Sequence, residues 1–283
     1  MGEHDGYELI DAGEGRRLER FGELVVDRPA PTADAAPRDP AAWAGADLRF
    51  DRYVGWTAVT EGEPQPWIVD EGDLRFELRP TETGQVGVFP EQGPNRAWVR
   101  DAVAQLGGSP QILNLFAFTG AMTLSAAAAG ASVTHVDGSR PAVAWARRNA
   151  ELSGLADRPV RWIVDDVERF VAREQRRERG YDAVILDPPS YGHWGRSRGA
   201  ASGWRLEERL EGLLTRCVDL TGGDPAFLVL SAHTPGFGPD RLAGELASAF
   251  GRPERDVDAG ELGIRARSGA HLRLGAYARI IRG

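Results

Sequence analysis

The chain has 283 residues and a mass of 30.7 kDa, enough for one large domain or two modest ones with a proper core. Hydrophobic residues make up 42% and charged residues 27%, which excludes wholesale disorder, and no apolar run approaches the ~20 residues of a membrane helix. The net charge is −8, every basic residue is Arg, and residues 1–106 hold 11 Arg against 21 acids, so a strongly basic nucleic-acid footprint is absent.

Residues 107–283 carry 23 Arg against 21 acids, which leaves room for local Arg patches. The N-terminus, Met1-Gly2-Glu3-His4-Asp5, is acidic and lacks the basic and apolar regions of a secretory signal. A single cysteine, Cys217, excludes a disulfide framework and a Cys-based zinc cluster. The expectation is a soluble, cytoplasmic protein without a metal.

Residues 1–106 read as a small β-rich domain. Glu8-Leu9-Ile10 and Leu24-Val25-Val26 are strand-like, and ten of the fourteen residues from Pro29 to Ala42 are Pro or Ala, with prolines at 29, 31, 37 and 40, so this stretch reads as a loop. Leu74-Arg75-Phe76-Glu77-Leu78-Arg79 alternates with period two and predicts a half-buried strand. Thr83-Gly84 predicts a turn into Val86-Gly87-Val88-Phe89 as its hairpin partner, and a helix is expected from near Arg96 to Leu106.

From residue 107 strands alternate with helices. Ile112–Phe116 is a strand, followed by Gly120 and an Ala-rich helix to Ala129, closed by Gly130. Ser132–Asp137 is the next strand. Ser139 caps a helix with Pro141 in its first turn and Val143, Ala144, Trp145 and Leu152 on one face. Val160–Val164, Ala183–Leu186 and Phe227–Ser231 are further strands, with helices over Val167–Arg179 and Leu206–Leu220. The pattern predicts an α/β, doubly wound Rossmann-like sheet over residues 107–283, with ligands beyond the carboxyl ends of its strands.

Four strand ends carry candidate chemistry. Phe116-Ala117-Phe118-Thr119-Gly120 has one glycine where a pyrophosphate site wants several, so the turn suits a nucleoside without phosphates. Asp137 either takes two ribose hydroxyls or caps the helix at Ser139; Asp165-Asp166 either accepts from an adenine amine or opens a helix that favours acids. Asp187-Pro188-Pro189-Ser190-Tyr191 is the most specific. Two prolines fix φ and lack N–H, which predicts rigid carbonyl acceptors beside a carboxylate, suited to holding an amine in line with an electrophile.

Asn114-Leu115-Phe116-Ala117-Phe118-Thr119-Gly120, Thr134-His135-Val136-Asp137, Asp166 and Leu186-Asp187-Pro188-Pro189-Ser190 resemble the motifs of class I S-adenosylmethionine (AdoMet)-dependent methyltransferases, and among them the bacterial 23S rRNA large-subunit methyltransferases. Tyr7-Glu8-Leu9-Ile10-Asp11, Leu18-Glu19-Arg20-Phe21-Gly22 and Gly87-Val88-Phe89-Pro90-Glu91-Gln92 resemble a subgroup without a PUA domain. The resemblance implies an AdoMet site in which Asn114, Phe116, Phe118, Thr119 and Gly120 surround the methionine part. It further implies that Asp137 holds the ribose, Asp166 the adenine amine, Asp187 the space beside the methyl, and Gln92 the methionine end. Asp187, Pro188, Pro189 and Ser190 are the implied catalytic residues.

Relatives that methylate cytosine C5 carry a cysteine after the next strand, in an S-C-S-like sequence; this chain reads Leu230-Ser231-Ala232-His233-Thr234 there. A covalent thiolate route is therefore not expected, which leaves direct transfer to nitrogen or oxygen. Tyr191, His193, Arg196 and Arg198, at or in a glycine-rich, Arg-bearing loop that also holds Arg205, and His233, at the end of the next strand, are candidates for contact with an RNA substrate. Trp194 and Trp204 there either stack a base or anchor the loop. Arg173, Arg176, Arg177 and Arg179 read as a solvated helix end. The expected function is methylation of an rRNA base; the alternatives are a small-molecule methyltransferase and an idle AdoMet or RNA binder.

Overall fold

A computed structural model describes residues 6–58, 65–192 and 204–282. The chain packs as two compact units. The first comprises residues 1–93 with 151–154 and 263–274; the second comprises 94–150, 155–262 and 275–283.

The first unit is built on a five-stranded sheet in the order β1 (Tyr7–Gly13), β2 (Arg16–Phe21), β3 (Leu24–Pro29), β4 (Leu48–Asp51) and β5 (Gly55–Ala58). The Glu14-Gly15 loop joins β1 to β2 with φ of 53° and 74°, the left-handed pair that a tight hairpin needs. One face packs Leu9, Ala12, Ala30 and Ala33 against Ala266, Ala270 and Leu272. Many of the unit's acids are spent internally. Glu19 is fully buried between Arg28 at 2.5 Å and Arg17 at 3.3 Å, and Asp27 binds Arg16 at 2.6 Å and Arg49 at 2.7 Å.

A separate hairpin pairs β6 (Trp67–Glu71) with β7 (Leu74–Leu78). This corrects the expectation that Val86–Phe89 is the partner of 74–79. The two-residue loop Gly72-Asp73, led by Gly72 at φ 63°, turns the chain before β7 instead. Residues 79–86 form a tight hydrogen-bonded turn, Arg79 N to Val86 O and Thr81 N to Gln85 O, and no strand over 86–89. The Pro/Ala-rich stretch is irregular up to Pro40, where a 3-10 turn over Pro40–Gly45 begins, capped by Asp39.

From its second residue onward α1 (Gly93–Leu106) opens the second unit; it starts three residues earlier than expected and packs there through Val99, Ala102 and Val103. Strands β8 (Gln111–Leu115), β9 (Ser132–Asp137), β10 (Val160–Val164), β11 (Ala183–Leu186) and β14 (Phe227–Ala232) are parallel. With β15 (Asp258–Arg265) and β16 (His271–Ile281) the sheet order is β10-β9-β8-β11-β14-β16-β15, β16 running antiparallel to β14. This is the doubly wound, Rossmann-like sheet that the alternation predicted. Its reversal of strand order falls between β8 and β11, where open α/β sheets bind ligands.

Alternate strand residues feed two cores. Ile112, Val133, Ala183, Ile185, Phe227 and Val229 face α1 and α2 (Ala121–Ala128). Leu113, Leu115, Val136, Val184, Leu186 and Leu230 face α4 (Val167–Arg176), α5 (Leu206–Leu220) and α6 (Pro239–Phe250). Burial on both faces is why these strands are continuous apolar runs. In α3 (Arg140–Leu152) the buried set is Ala142, Val143, Trp145, Ala146, Asn149 and Ala150, so Ala144 is exposed, contrary to its expected place. Helix α4 ends at Arg176, with Glu178 at φ 52° beyond it. Between β11 and α5 a short ladder pairs β12 (Tyr191–Gly192) with β13 (Trp204–Arg205).

Candidate active site

The carboxyl tips of β8, β9, β10, β11 and β14 bring most of the predicted residues of the second unit together. The turn after β8 is held in an unusual conformation: Phe116, Phe118 and Gly120 have φ of 58°, 47° and 88°. Asp137 Oδ2 accepts from the Phe118 amide at 2.9 Å and its Oδ1 from the Ser139 amide at 2.8 Å, while Ser139 Oγ caps α3 at Ala142. Asn149 Nδ2 donates to the Thr119 carbonyl at 3.0 Å. A Cβ at Gly120 would stand 2.9 Å from the Ala146 Cβ, so glycine serves both the backbone angle and the close approach of α3. Burial pushes the Asp137 carboxyl above its ordinary value, against the lowering effect of the two amides.

Asn114 lies below this turn. It is buried, and its Nδ2 donates to Thr123 Oγ1 at 2.8 Å, which in turn is 2.9 Å from His135 Nδ1. His135 packs against Trp162, and burial, helped by the charge of Arg147, lowers its pKa to about 3, so it is a neutral core histidine. Asp166 is half-buried and caps α4, accepting from the Arg169 amide at 2.9 Å. Arg176, Arg177 and Arg179 are exposed, as the solvated helix end requires, whereas Arg173 is half-buried and binds Asp165. Gln92 is buried in the Pro90–Gln92 turn at the end of the first unit's main segment.

The Asp187–Ser190 loop is pinned on two sides. Ser231 Oγ donates to Asp187 Oδ1 at 2.7 Å, His233 Nε2 lies 3.5 Å from the same oxygen, and Thr234 Oγ1 donates to Ser190 Oγ at 2.7 Å. The expectation that the proline carbonyls face a pocket fails at Pro189, whose carbonyl accepts from Trp204 Nε1 at 2.7 Å. The buried Trp204 ring packs against Phe116, tilted by 55° with centroids 5.0 Å apart, so Trp204 is an anchor between the first and fourth strand ends. Asp187 keeps 29% of its side chain exposed. Tyr191 is 67% exposed, with Arg205 over its ring at 5.9 Å.

His193, Trp194, Arg196 and Arg198 lie outside the described residues. Cys217 is buried in α5, where burial pushes its thiol up to about 12. Sequence reasoning missed Ser231 and Thr234 as partners of the Asp187–Ser190 loop. A concavity of about 660 Å³ lined by Arg179, Tyr181, Asp182, Asp219 and Thr221 lies at the opposite, amino end of β11 and belongs to a different face.

The donor set at the tips fits AdoMet. Carboxylates at 137 and 166 match hydroxyl and amine donors and a cationic sulfonium, and the turn has one glycine rather than the amide cradle that phosphates require.

Comparison with known proteins identifies the family and the fold. The profile of the S-adenosylmethionine-dependent methyltransferase family matches residues 20–251. A ribosomal RNA large subunit methyltransferase K/L of Magnetococcus marinus is 34% identical over 129 residues, 45% of this chain and 17% of that protein. A ribosomal RNA large subunit methyltransferase I of Aeromonas salmonicida is 30% identical over 138 residues, 48% of this chain and 34% of that protein. The match thus spans about a third or less of these relatives' length. The crystal structure of a SAM-dependent methyltransferase from Agrobacterium tumefaciens superposes with a TM-score of 0.88 at 34% identity, covering 98% of this chain and 90% of that one.

Proposed function

Since the chain belongs to the S-adenosylmethionine-dependent methyltransferase family, we propose that it methylates a base of ribosomal RNA, by direct transfer to nitrogen or oxygen without a covalent protein adduct. The observation that carries the reading is the pinned, part-exposed Asp187 carboxylate at the tip of β11, across the switch point from the turn that follows β8. The identity to rRNA methyltransferases, 34% over 129 residues and 30% over 138, supports RNA as substrate, and the cytoplasm as its place of action.

When bound, AdoMet supplies an electrophilic methyl group on a sulfonium. The Phe116–Gly120 turn and Asp137 orient the cofactor; Asp166 receives the adenine amine. Asp187 accepts a hydrogen bond from the acceptor group and holds it in line, so most of the rate enhancement comes from positioning. Ala232 stands where a covalent mechanism places its cysteine, and the only thiol of the chain is protonated and packed away in α5. Tyr191 and His233 border the acceptor side, Tyr191 as a stacking surface for a base.

The test is transfer of tritiated methyl from AdoMet to ribosomal RNA, followed by mass spectrometry of the digested nucleosides. A methylated base supports the reading, and label confined to small molecules sinks it. The chain's net acidity favours a small-molecule acceptor as the second reading; transfer to RNA falls steeply with added salt, whereas transfer to a neutral small molecule does not.

A further inference from the structure

The β11–β14 ladder ends at the pair Leu186 and Leu230. Beyond it the two segments stay in register through side chains. Ser231 bonds Asp187 and Thr234 bonds Ser190, both at 2.7 Å and both keeping the 44-residue offset of the ladder. A main-chain ladder cannot continue here, because Pro188 and Pro189 have no N–H to give. Hydroxyls three residues apart on one segment meet residues three apart on the other and take over its role.

We propose that Ser231 and Thr234 are positioning residues that extend the strand pairing through their hydroxyls and fix Asp187 and Ser190 for methyl transfer. The proposal rests on the reading above that this loop receives the methyl acceptor. Ser231 is 2% exposed, and its Oγ lies between Asp187 Oδ1 and the Leu186 carbonyl, 3.4 Å away. A buried hydroxyl in a strand covered on both faces adds little to packing, so its place is explained by the carboxylate it binds. Trp204 holds the Pro189 carbonyl from the other side, and the Leu206 amide bonds the Ser190 carbonyl at 3.3 Å. Three of the four residues of the Asp187–Ser190 loop are thereby fixed by partners outside it.

The experiment pairs Ser231→Ala with Ser231→Thr, and Thr234→Val with Thr234→Ser. Ser231→Ala is expected to lower kcat about 10-fold to 100-fold while KM and the AdoMet affinity measured by calorimetry stay near wild type. Ser231→Thr restores the hydroxyl and recovers most of the loss, which a defect of folding or packing does not do. Crystal structures of the Ser231 variants give a readout without substrate: Asp187 leaves its rotamer in Ser231→Ala and keeps it in Ser231→Thr. An Asp187 rotamer unchanged in Ser231→Ala, or an unchanged kcat, overturns the proposal. Failure of the wild-type protein to methylate RNA overturns the substrate reading alone, since the rotamer comparison needs no RNA.

Discussion

Asp137 Oδ2 accepts the Phe118 amide at 2.9 Å, so the tip of β9 fixes the left-handed turn that leaves β8. A residue proposed to hold the ribose also shapes the neighbouring wall of the site. Asp137→Ala is therefore expected to weaken AdoMet by ~1–3 kcal/mol, through lost bonds to the ligand and a loosened turn. Isothermal calorimetry measures it, and an unaltered affinity removes Asp137 from the binding site.

Asp187→Ala separates chemistry from cofactor binding. Turnover on RNA is expected to fall at least about 100-fold, because an interaction made with the reacting acceptor is lost, while AdoMet binding changes little. Equal losses in both measurements would move Asp187 to a cofactor-binding role.

Two glycines distinguish backbone strain from steric contact. Gly120 and Gly154 both have positive φ, 88° and 67°, but a Cβ meets Ala146 at 2.9 Å in the first and open space in the second. Gly154→Ala is expected to cost about 1–2 kcal/mol from strain alone, and Gly120→Ala more than that together with loss of AdoMet binding. Urea denaturation of both variants gives the comparison.

Cys217→Ser is expected to remain active and to lose about 1–3 kcal/mol of stability, since a hydroxyl replaces a packed thiol in an apolar core. Native protein should also resist thiol reagents, because a buried thiol pushed up to about 12 offers no thiolate at neutral pH. A folded but inactive Cys217→Ser enzyme would restore the covalent route.

The first unit should be acid-labile. Burial works to raise both Asp11 and Glu19. For Asp11 the bonds from Ser268, Trp43, Asp39 and Arg38 outweigh it; for Glu19 the charges of Arg17 and Arg28 do. Both carboxyls are thus held below their ordinary values, and their contribution is complete above about pH 4 and lost as pH falls through the folded-state values. The thermal midpoint is expected to drop steeply below about pH 4, and Asp11→Asn to lower it at neutral pH while flattening that drop.

The parallel sheet was legible because buried strands write themselves as short apolar runs between helical periods. Three of the four tips were legible because acids, followed at the last by prolines, interrupt those runs at 137, 166 and 187. Among the antiparallel elements β1, β3 and β7 were legible as strands, but their partners were not. Strand β2 reads Arg-Arg-Leu-Glu-Arg-Phe, with Arg17 and Glu19 buried as charges, so hydrophobicity alone hides it. The roles of Ser231, Thr234 and Trp204 arise from pairings between distant segments, which spacing along the chain does not encode. Asp166 and Asp137 both take up the helix-start and turn bonds that the sequence offered as one of two alternatives.

The Asp187–Ser190 loop is secured by hydroxyls, a carboxylate and an indole instead of its own amides, with consequences for how its stiffness can be observed. Deuterium uptake along the main chain has no reporter at residues 188 and 189, so the middle of the loop would be silent in such a map. The indole proton of Trp204, donated to the Pro189 carbonyl, is the natural substitute: its slow replacement by solvent would record each opening of the loop.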